Sequence, residues 1–226
     1  MRESLDRQLN SLKNEILLID SMVEQAVLNA VDSLKRRDVH LARRVIDDDH
    51  AINDKRYAVE NAILTLIATQ QPIAAGDLRL VTSMLDIIGE LERIGDYAKG
   101  IAHVTENLAD SPLVFPIKEI ARMCDLSVSM LHRAMSAFVN TNEAQARRIP
   151  LEDTEVNDLY NMAYRQMLKG MTRSPEMIDS SNQIMWVLHN LERMADRVSN
   201  ICERTIFIVT GEMIEFDGQT EHKDTP

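Results

Sequence analysis

The sequence predicts an all-α protein of two tandem antiparallel three-helix bundles, six long helices related by internal duplication. Three observations predict it. Glycine (7), proline (6) and aromatic residues (4%) are scarce in a chain of 226 residues, while Met, Leu, Ala, Glu and Arg fill it, a helix-forming composition with nothing that asks for a sheet. Apolar residues recur at alternating steps of three and four over long windows. The second half also repeats the first: Leu91-Glu92-Arg93-Ile94-Gly95-Asp96 returns as Leu191-Glu192-Arg193-Met194-Ala195-Asp196. Upstream, Glu15-Ile16 faces Glu119-Ile120, Ala42-Arg43-Arg44 faces Ala146-Arg147-Arg148, Asp49 faces Asp153 and Asn53-Asp54 faces Asn157-Asp158 without a gap. Downstream, Ile101 faces Ile201 and Thr105 faces Thr205, so the second copy has lost four residues in the turn after its middle helix.

The first helix is expected along the seam Leu5, Leu9, Leu12, Ile16, Ile19, Val23, Ala26, Ala30 and Ser33, a heptad pattern that packs lengthwise. Asp38 supplies a cap for the second, whose seam runs Ala42, Val45, Asp49, Ile52, Arg56, Val59, Ile63 and Leu66 before Gln70-Gln71-Pro72 stops it. The third starts after Pro72 and follows Met84, Ile87, Leu91, Ile94, Ala98, Ile101 and Leu108. Short turns between long helices force an up, down, up path. Asp110 to Pro116, with two prolines close together, is the expected junction. Helices four to six are expected near 117–140, 143–172 and 176–210, with Gly211 ending the last. The expected units are therefore residues 1–110, residues 116–211 and an unstructured polar tail, 212–226.

A net charge of -11 argues against wrapping nucleic acid, which needs a basic face, and suits cations. Lys35-Arg36-Arg37 and Arg43-Arg44 bracket a turn ahead of Asp47-Asp48-Asp49 and read as solvated helix ends. Cys124 and Cys202 match no disulfide or zinc pattern and read as buried thiols of a cytoplasmic protein. The chain opens on a charged amphipathic pattern, and no apolar run approaches the roughly 20 residues of a membrane span.

The chemistry concentrates in the repeated carboxylates. With Leu91 at a and Ile94 at d, Glu92 falls at b and Asp96 at f, on the side away from the bundle core; Glu192 and Asp196 occupy the same outer face. Two carboxylates one turn apart repel by about 0.3 kcal/mol unless a cation sits between them, and recurrence in one register points to a hard cation held by oxygen ligands. The plainer reading is that Arg93 and Arg193 neutralise an acidic helix face. Asp49 and Asp153, with Asn53 and Asn157 one turn on, add a matched polar pair at seam positions; such residues also serve to fix helix register. His103 and Glu203 lie two turns beyond the motifs on roughly the same face.

Glu-Arg-Ile-Gly-Asp and Glu-Arg-Met-Ala-Asp, the stretch Gln71-Pro72-Ile73-Ala74 followed by Asp77-Leu78-Arg79, and the duplicated six-helix layout together resemble the PhoU family of phosphate-signalling proteins, over about residues 4–211. The resemblance implies a cytoplasmic, non-enzymatic negative regulator of phosphate uptake and phosphate-starvation signalling. Such a protein docks between a phosphate ABC transporter, through its ATPase, and a sensor histidine kinase, and reaches the membrane only through those partners. It implies a divalent or trivalent metal (iron, zinc, manganese or magnesium) at Glu92 with Asp96 and at Glu192 with Asp196, to which the seam pattern adds Asp49 and Asp153. A homodimer stays open. Where the family pattern continues with Asn and Ile-x-Glu, the second copy has Asn200-Ile201-Cys202-Glu203 and the first has Gly100-Ile101-Ala102-His103, so the two copies are expected to bind unalike. The Pro-Ile-Ala-x-x-Asp-Leu-Arg stretch has no second copy; Pro175-Glu-Met-Ile-Asp179 stands there. Two rivals remain. A di-iron bundle enzyme needs Glu-x-x-His pairs, which are absent from the sequence, and an accessory subunit of a secondary anion permease differs only in partner, which the neighbouring gene distinguishes.

Overall fold

The heptad seam of the first helix is buried at Leu5, Leu9, Leu12, Ile16, Ile19, Val23, Ala30 and Ser33; at the expected Ala26 the stripe shifts by one residue, Val27 taking the core position and Ala26 staying half-buried. The computed structural model describes residues 2–108 and 116–216. It forms α1 (Arg2–Arg36), α2 (Val39–Thr69), α3 (Ala75–Asn107), α4 (Ile117–Val139), α5 (Glu143–Arg148), α6 (Asp153–Arg173) and α7 (Ile178–Thr210). Helix α1 ends where Arg37 takes φ 56, and Asp38 opens α2 by accepting the Leu41 amide at 2.9 Å, as its sequence position requires. Gly211, at φ 78, closes α7 in the left-handed conformation that costs glycine least. Among the described residues no helix is long and apolar enough to cross a membrane.

The six-helix plan holds, with one interruption. The single helix expected over 143–172 breaks into α5, a 3-10 turn at Ile149–Glu152, and α6. Pro150 is the reason: it has no amide hydrogen to give to the preceding turn, and its ring crowds the carbonyl there. The helix beyond the break is thinly anchored. Only Val156, Ala163 and Met167 of α6 are buried, whereas α2 buries Ala42, Val45, Asp49, Ile52, Val59, Ile63 and Leu66. The junction expected from Asp110 lies outside the described residues up to Pro116, the residue before α4.

The two three-helix groups share one apolar core and meet along two antiparallel seams. On the first, α3 and α7 pair Asp86 with Arg204 (3.2 Å), Glu90 with Arg197 (3.4 Å) and the Tyr97 ring with the Arg193 guanidinium at 5.7 Å. Gly100 then lies directly under the Trp186 indole, where any Cβ would collide with the ring. One helix counts up as the other counts down, so the two Glu-x-x-x-Asp motifs sit at the same level on adjacent antiparallel helices. On the second seam, Lys13 Nζ of α1 donates to the Val139 carbonyl of α4 at 3.3 Å, and Glu24 lies 3.3 Å from His132.

One feature single to one repeat serves this union. The Arg79 side chain lies beside Gly211, at the C-terminus of α7, with its Cζ 3.6 Å from where a Cβ would stand; a guanidinium there meets the negative end of the helix. The Pro-Ile-Ala-x-x-Asp-Leu-Arg stretch thus braces the last helix of the other repeat, a task its own counterpart does not have. The polar tail also departs from expectation. Residues 212–216 form no helix, yet Ile214 and Phe216 pack against the core and the Phe216 amide donates to Glu203 Oε1 at 2.7 Å. The rest of the tail, 217–226, lies outside the described residues.

Candidate functional site

Heptad phase places Glu92 and Asp96 on an outer face; the structure keeps Asp96 exposed there but turns the half-buried Glu92 toward a neighbouring helix. Helix α3 touches α1, α2 and α7, so an outer position such as that of Glu92 opens into the groove beside a neighbour, while Asp96 stays at the exposed rim. Glu92 turns toward α2, where its Oε1 takes a 2.8 Å ion pair from Arg56 Nη1. Asp49, only 3% exposed, looks into the same groove and accepts Lys99 Nζ of α3 at 2.8 Å and Asn53 Nδ2 at 3.1 Å. Burial raises the Glu92 carboxyl above its ordinary value against the pull of Arg56. Burial and the Asp49 charge raise Asp96, with Lys99 pulling the other way. The first groove is therefore an acidic trio already carrying two cations of its own, Arg56 and Lys99.

The second groove, between α6 and α7, keeps the trio and lacks counterparts of those two cations. Asp153, at the first turn of α6, accepts Asn157 Nδ2 at 2.8 Å, the same bond Asn53 makes to Asp49. In repeat register, however, Tyr160 replaces Arg56 and Ser199 replaces Lys99. The result is visible in the carboxylates. Asp153 Oδ1 and Glu192 Oε2 are buried without a hydrogen-bond partner, although His189 Nδ1 approaches the latter to 3.3 Å. Burial and the Asp196 charge push the Asp153 carboxyl up to about 6, even against its bond from Asn157. Burial, then Asp196 and Asp153, push Glu192 up to about 7. Asp196 is raised by burial, opposed by Arg197 and Arg193. Tyr160 is itself raised by burial and by Glu192, which places the neutral phenol where the first groove has its guanidinium.

Asp49 lies near enough to Glu92 and Asp96, and Asp153 near enough to Glu192 and Asp196, for each set to feel one another's charge. His103 and Glu203 do not join them: His103 bonds Glu106 at 3.3 Å and Glu203 holds the tail. Arg56, Lys99, Tyr160 and Ser199 escape motif reading. Their signal is present in the repeat alignment, in columns where a cation faces a neutral residue.

Oxygen-only donor sets suit hard cations. Among the described residues no three His, Cys, Asp or Glu side chains already converge closely enough to hold a metal ion, so a metal has to draw its ligands in. The fit differs between grooves. In the first, every expected ligand pair has a Lys or Arg to be displaced. In the second, two orphaned buried oxygens and raised carboxyls carry a desolvation cost that a cation would offset.

The model of the PhoU domain matches residues 4–105 and again 120–205. The chain belongs to the PhoU family. A phosphate-specific transport system accessory protein PhoU homolog of Clostridium acetobutylicum is 32% identical over 216 residues, covering 96% of this chain and 99% of its own. The phosphate-specific transport system accessory protein PhoU of Escherichia coli is 32% identical over 217 residues, 95% of this chain and 88% of its own. The crystal structure of the phosphate transport system regulatory protein PhoU from Streptococcus pneumoniae superposes with a TM-score of 0.86 at 30% identity, covering 94% of this chain and 100% of that one. PhoU from Pseudomonas aeruginosa gives 0.87 at 29% identity, with 92% and 99% covered. These PhoU relatives are accessory and regulatory proteins, and the chain sides with them rather than with enzymes.

Proposed function

We propose that this PhoU-family accessory protein of phosphate transport acts as a negative regulator of phosphate uptake and phosphate-starvation signalling. It docks between a phosphate ABC transporter and a sensor histidine kinase, with a metal held in its second carboxylate groove. The observation that carries the metal part is the pair of orphaned buried oxygens, Asp153 Oδ1 and Glu192 Oε2, in a groove whose internal cations have been replaced by Tyr160 and Ser199. Asp153, Glu192 and Asp196 would hold the ion, which supplies the positive charge that lets all three ionise side by side. Asn157 orients Asp153 for that role. The regulatory part is supported by the near full-length match to phosphate-transport accessory proteins. It needs no bond to be made or broken: a groove locked by a cation presents a fixed surface to a partner.

The test is complementation. In a host deleted for this gene and grown with ample phosphate, wild-type protein restores repression of a phosphate-starvation reporter. The variant Asp153→Asn/Glu192→Gln/Asp196→Asn restores it poorly and co-purifies less sensor kinase. A deletion that leaves the reporter repressed sinks the signalling reading; a variant that represses as well as wild type sinks the metal's part in it.

A further inference from the structure

Far from the carboxylates, α6 carries a second surface that the metal reading does not use. A groove of about 810 Å³ runs between the C-terminal half of α6 and the start of α7. It exists because α6 is anchored by only three buried side chains and because the turn after it is short, a 3-10 segment at Pro175–Met177. Met162, Met167 and Met177 line it, and Met162 is 52% exposed, with Leu168 and Ile178 at 43% and 48% beside it. Met162 stands exposed, Met177 is half-buried and Met167 forms the buried floor at 4%, and such flexible, polarisable side chains adapt to an incoming apolar face. One edge of the groove is basic. Arg165, Lys169 and Arg173 follow each other at steps of four, a stripe of about 12 Å along the helix. Among the described residues none of the three makes an ion pair, and Asp158 is the one acidic side chain in the groove wall.

The repeat itself argues that this stripe is not incidental. The same register of α2 carries Asn61, Thr65 and Thr69, all neutral. Complementing the helix dipole explains Arg173, in the last turn, but that effect fades within one turn and leaves Arg165 unexplained; α2 has no basic residue in its last turn at all. We propose that this groove docks an acidic amphipathic helix of a partner protein, its apolar face on the methionines and its carboxylates along Arg165, Lys169 and Arg173. Helix-in-groove recognition of this kind pairs an apolar stripe with a charged rim. An anionic membrane fits less well. Lipid-binding segments gather about four to eight basic residues, whereas here three basic residues edge a concavity on a chain of net charge -11.

The probe is a dye-labelled amphipathic peptide of about five helical turns, with Glu on one face and Leu and Met on the other, titrated with the full-length protein by fluorescence anisotropy. Wild type binds it, and binding weakens with added salt. Arg165→Glu/Lys169→Glu/Arg173→Glu lowers the affinity about tenfold or more, the charge-neutral Lys169→Gln/Arg173→Gln lowers it less, and Met162→Ser lowers it about threefold at any salt. All substituted sites are exposed, and unchanged circular dichroism keeps the comparison between folded proteins. Several results overturn the proposal: equal binding of a peptide with Lys in place of Glu, peptide affinity indifferent to the triple reversal, phosphatidylserine vesicles captured through the stripe while the peptide is ignored, or sedimentation showing that the stripe joins two copies of this chain.

Discussion

The two carboxylate grooves lie at one level on adjacent antiparallel helices and differ in what neutralises them. In the first, Arg56 and Lys99 sit on Glu92 and Asp49 at 2.8 Å each. In the second, Tyr160 and Ser199 stand in the same places; Asp153 Oδ1 and Glu192 Oε2 are buried without a hydrogen bond, His189 Nδ1 standing 3.3 Å from the latter. Duplication has kept the acids and exchanged the counter-charges. A salt bridge inside the chain is a permanent cation; on the proposed reading, the second cluster would take its cation from solution and so respond to supply.

The sharpest way to break this contrast is to count ions. Elemental analysis and calorimetric titration with manganese are expected to show one site, lost on Asp153→Asn/Glu192→Gln/Asp196→Asn and weakened at least about tenfold by Glu192→Gln alone. The matching changes at Asp49, Glu92 and Asp96 are expected to leave it. Exchanging the counter-charges should move it: Arg56→Tyr/Lys99→Ser opens a second event, and Tyr160→Arg/Ser199→Lys closes the first. Equal metal in both grooves of the wild type would end the distinction.

A smaller effect separates the repeats one turn past the motifs. Gly100→Asn, the residue present at Asn200, drives a side chain into the Trp186 ring and is expected to cost about 2 kcal/mol in urea unfolding. Asn200→Gly costs only about 0.3 kcal/mol, the difference in helix propensity between asparagine and glycine. Next, Lys99→Met leaves Asp49, 3% exposed, with Asn53 as its remaining partner and is expected to destabilise by about 1–2 kcal/mol. Ser199→Met is expected to change stability by a few tenths of a kcal/mol. An equal loss at both positions would show that Lys99 is not the internal counter-ion.

The last of the contrasts is a pH slope. The Glu192 carboxyl is pushed from 4.5 up to about 7 in the fold, so folding opposes its ionisation. Its favourable contribution is complete below about 4.5 and is lost as pH rises through about 7. Metal-free protein is therefore expected to lose stability between pH 5 and 8, and Glu192→Gln to lose less. Asp20 on α1, raised to about 8 by burial and by Glu24, adds a slope of the same sign, which is why the difference between wild type and variant is the quantity to read. A wild type whose stability rises over that interval would contradict the half-buried setting of Glu192 beside two other carboxylates.

Much of this was legible in the sequence. Heptad seams and caps give the helices because burial of one stripe and satisfaction of terminal amides are local problems. Leu5 to Val23 and Asp38 behave as their spacing says. The Ile149–Glu152 break was equally local, since Pro150 was in view. The direction of Glu92 was not legible, because heptad phase assumes one partner seam and α3 has three neighbours. The role of Arg79 was hidden for a similar reason: its partner is the end of α7, far along the chain. The groove chemistry lay between these cases. The acids announced themselves as a motif, whereas Arg56 and Lys99 belong to no motif and gain meaning only against Tyr160 and Ser199.

Trp186 is the single tryptophan of the chain, and its ring rests on Gly100 of the opposite repeat while remaining 43% exposed. Its fluorescence is thus a built-in gauge of the distance between α3 and α7. A shift in emission or quenching on adding metal, partner or denaturant reads the opening of that seam without any label.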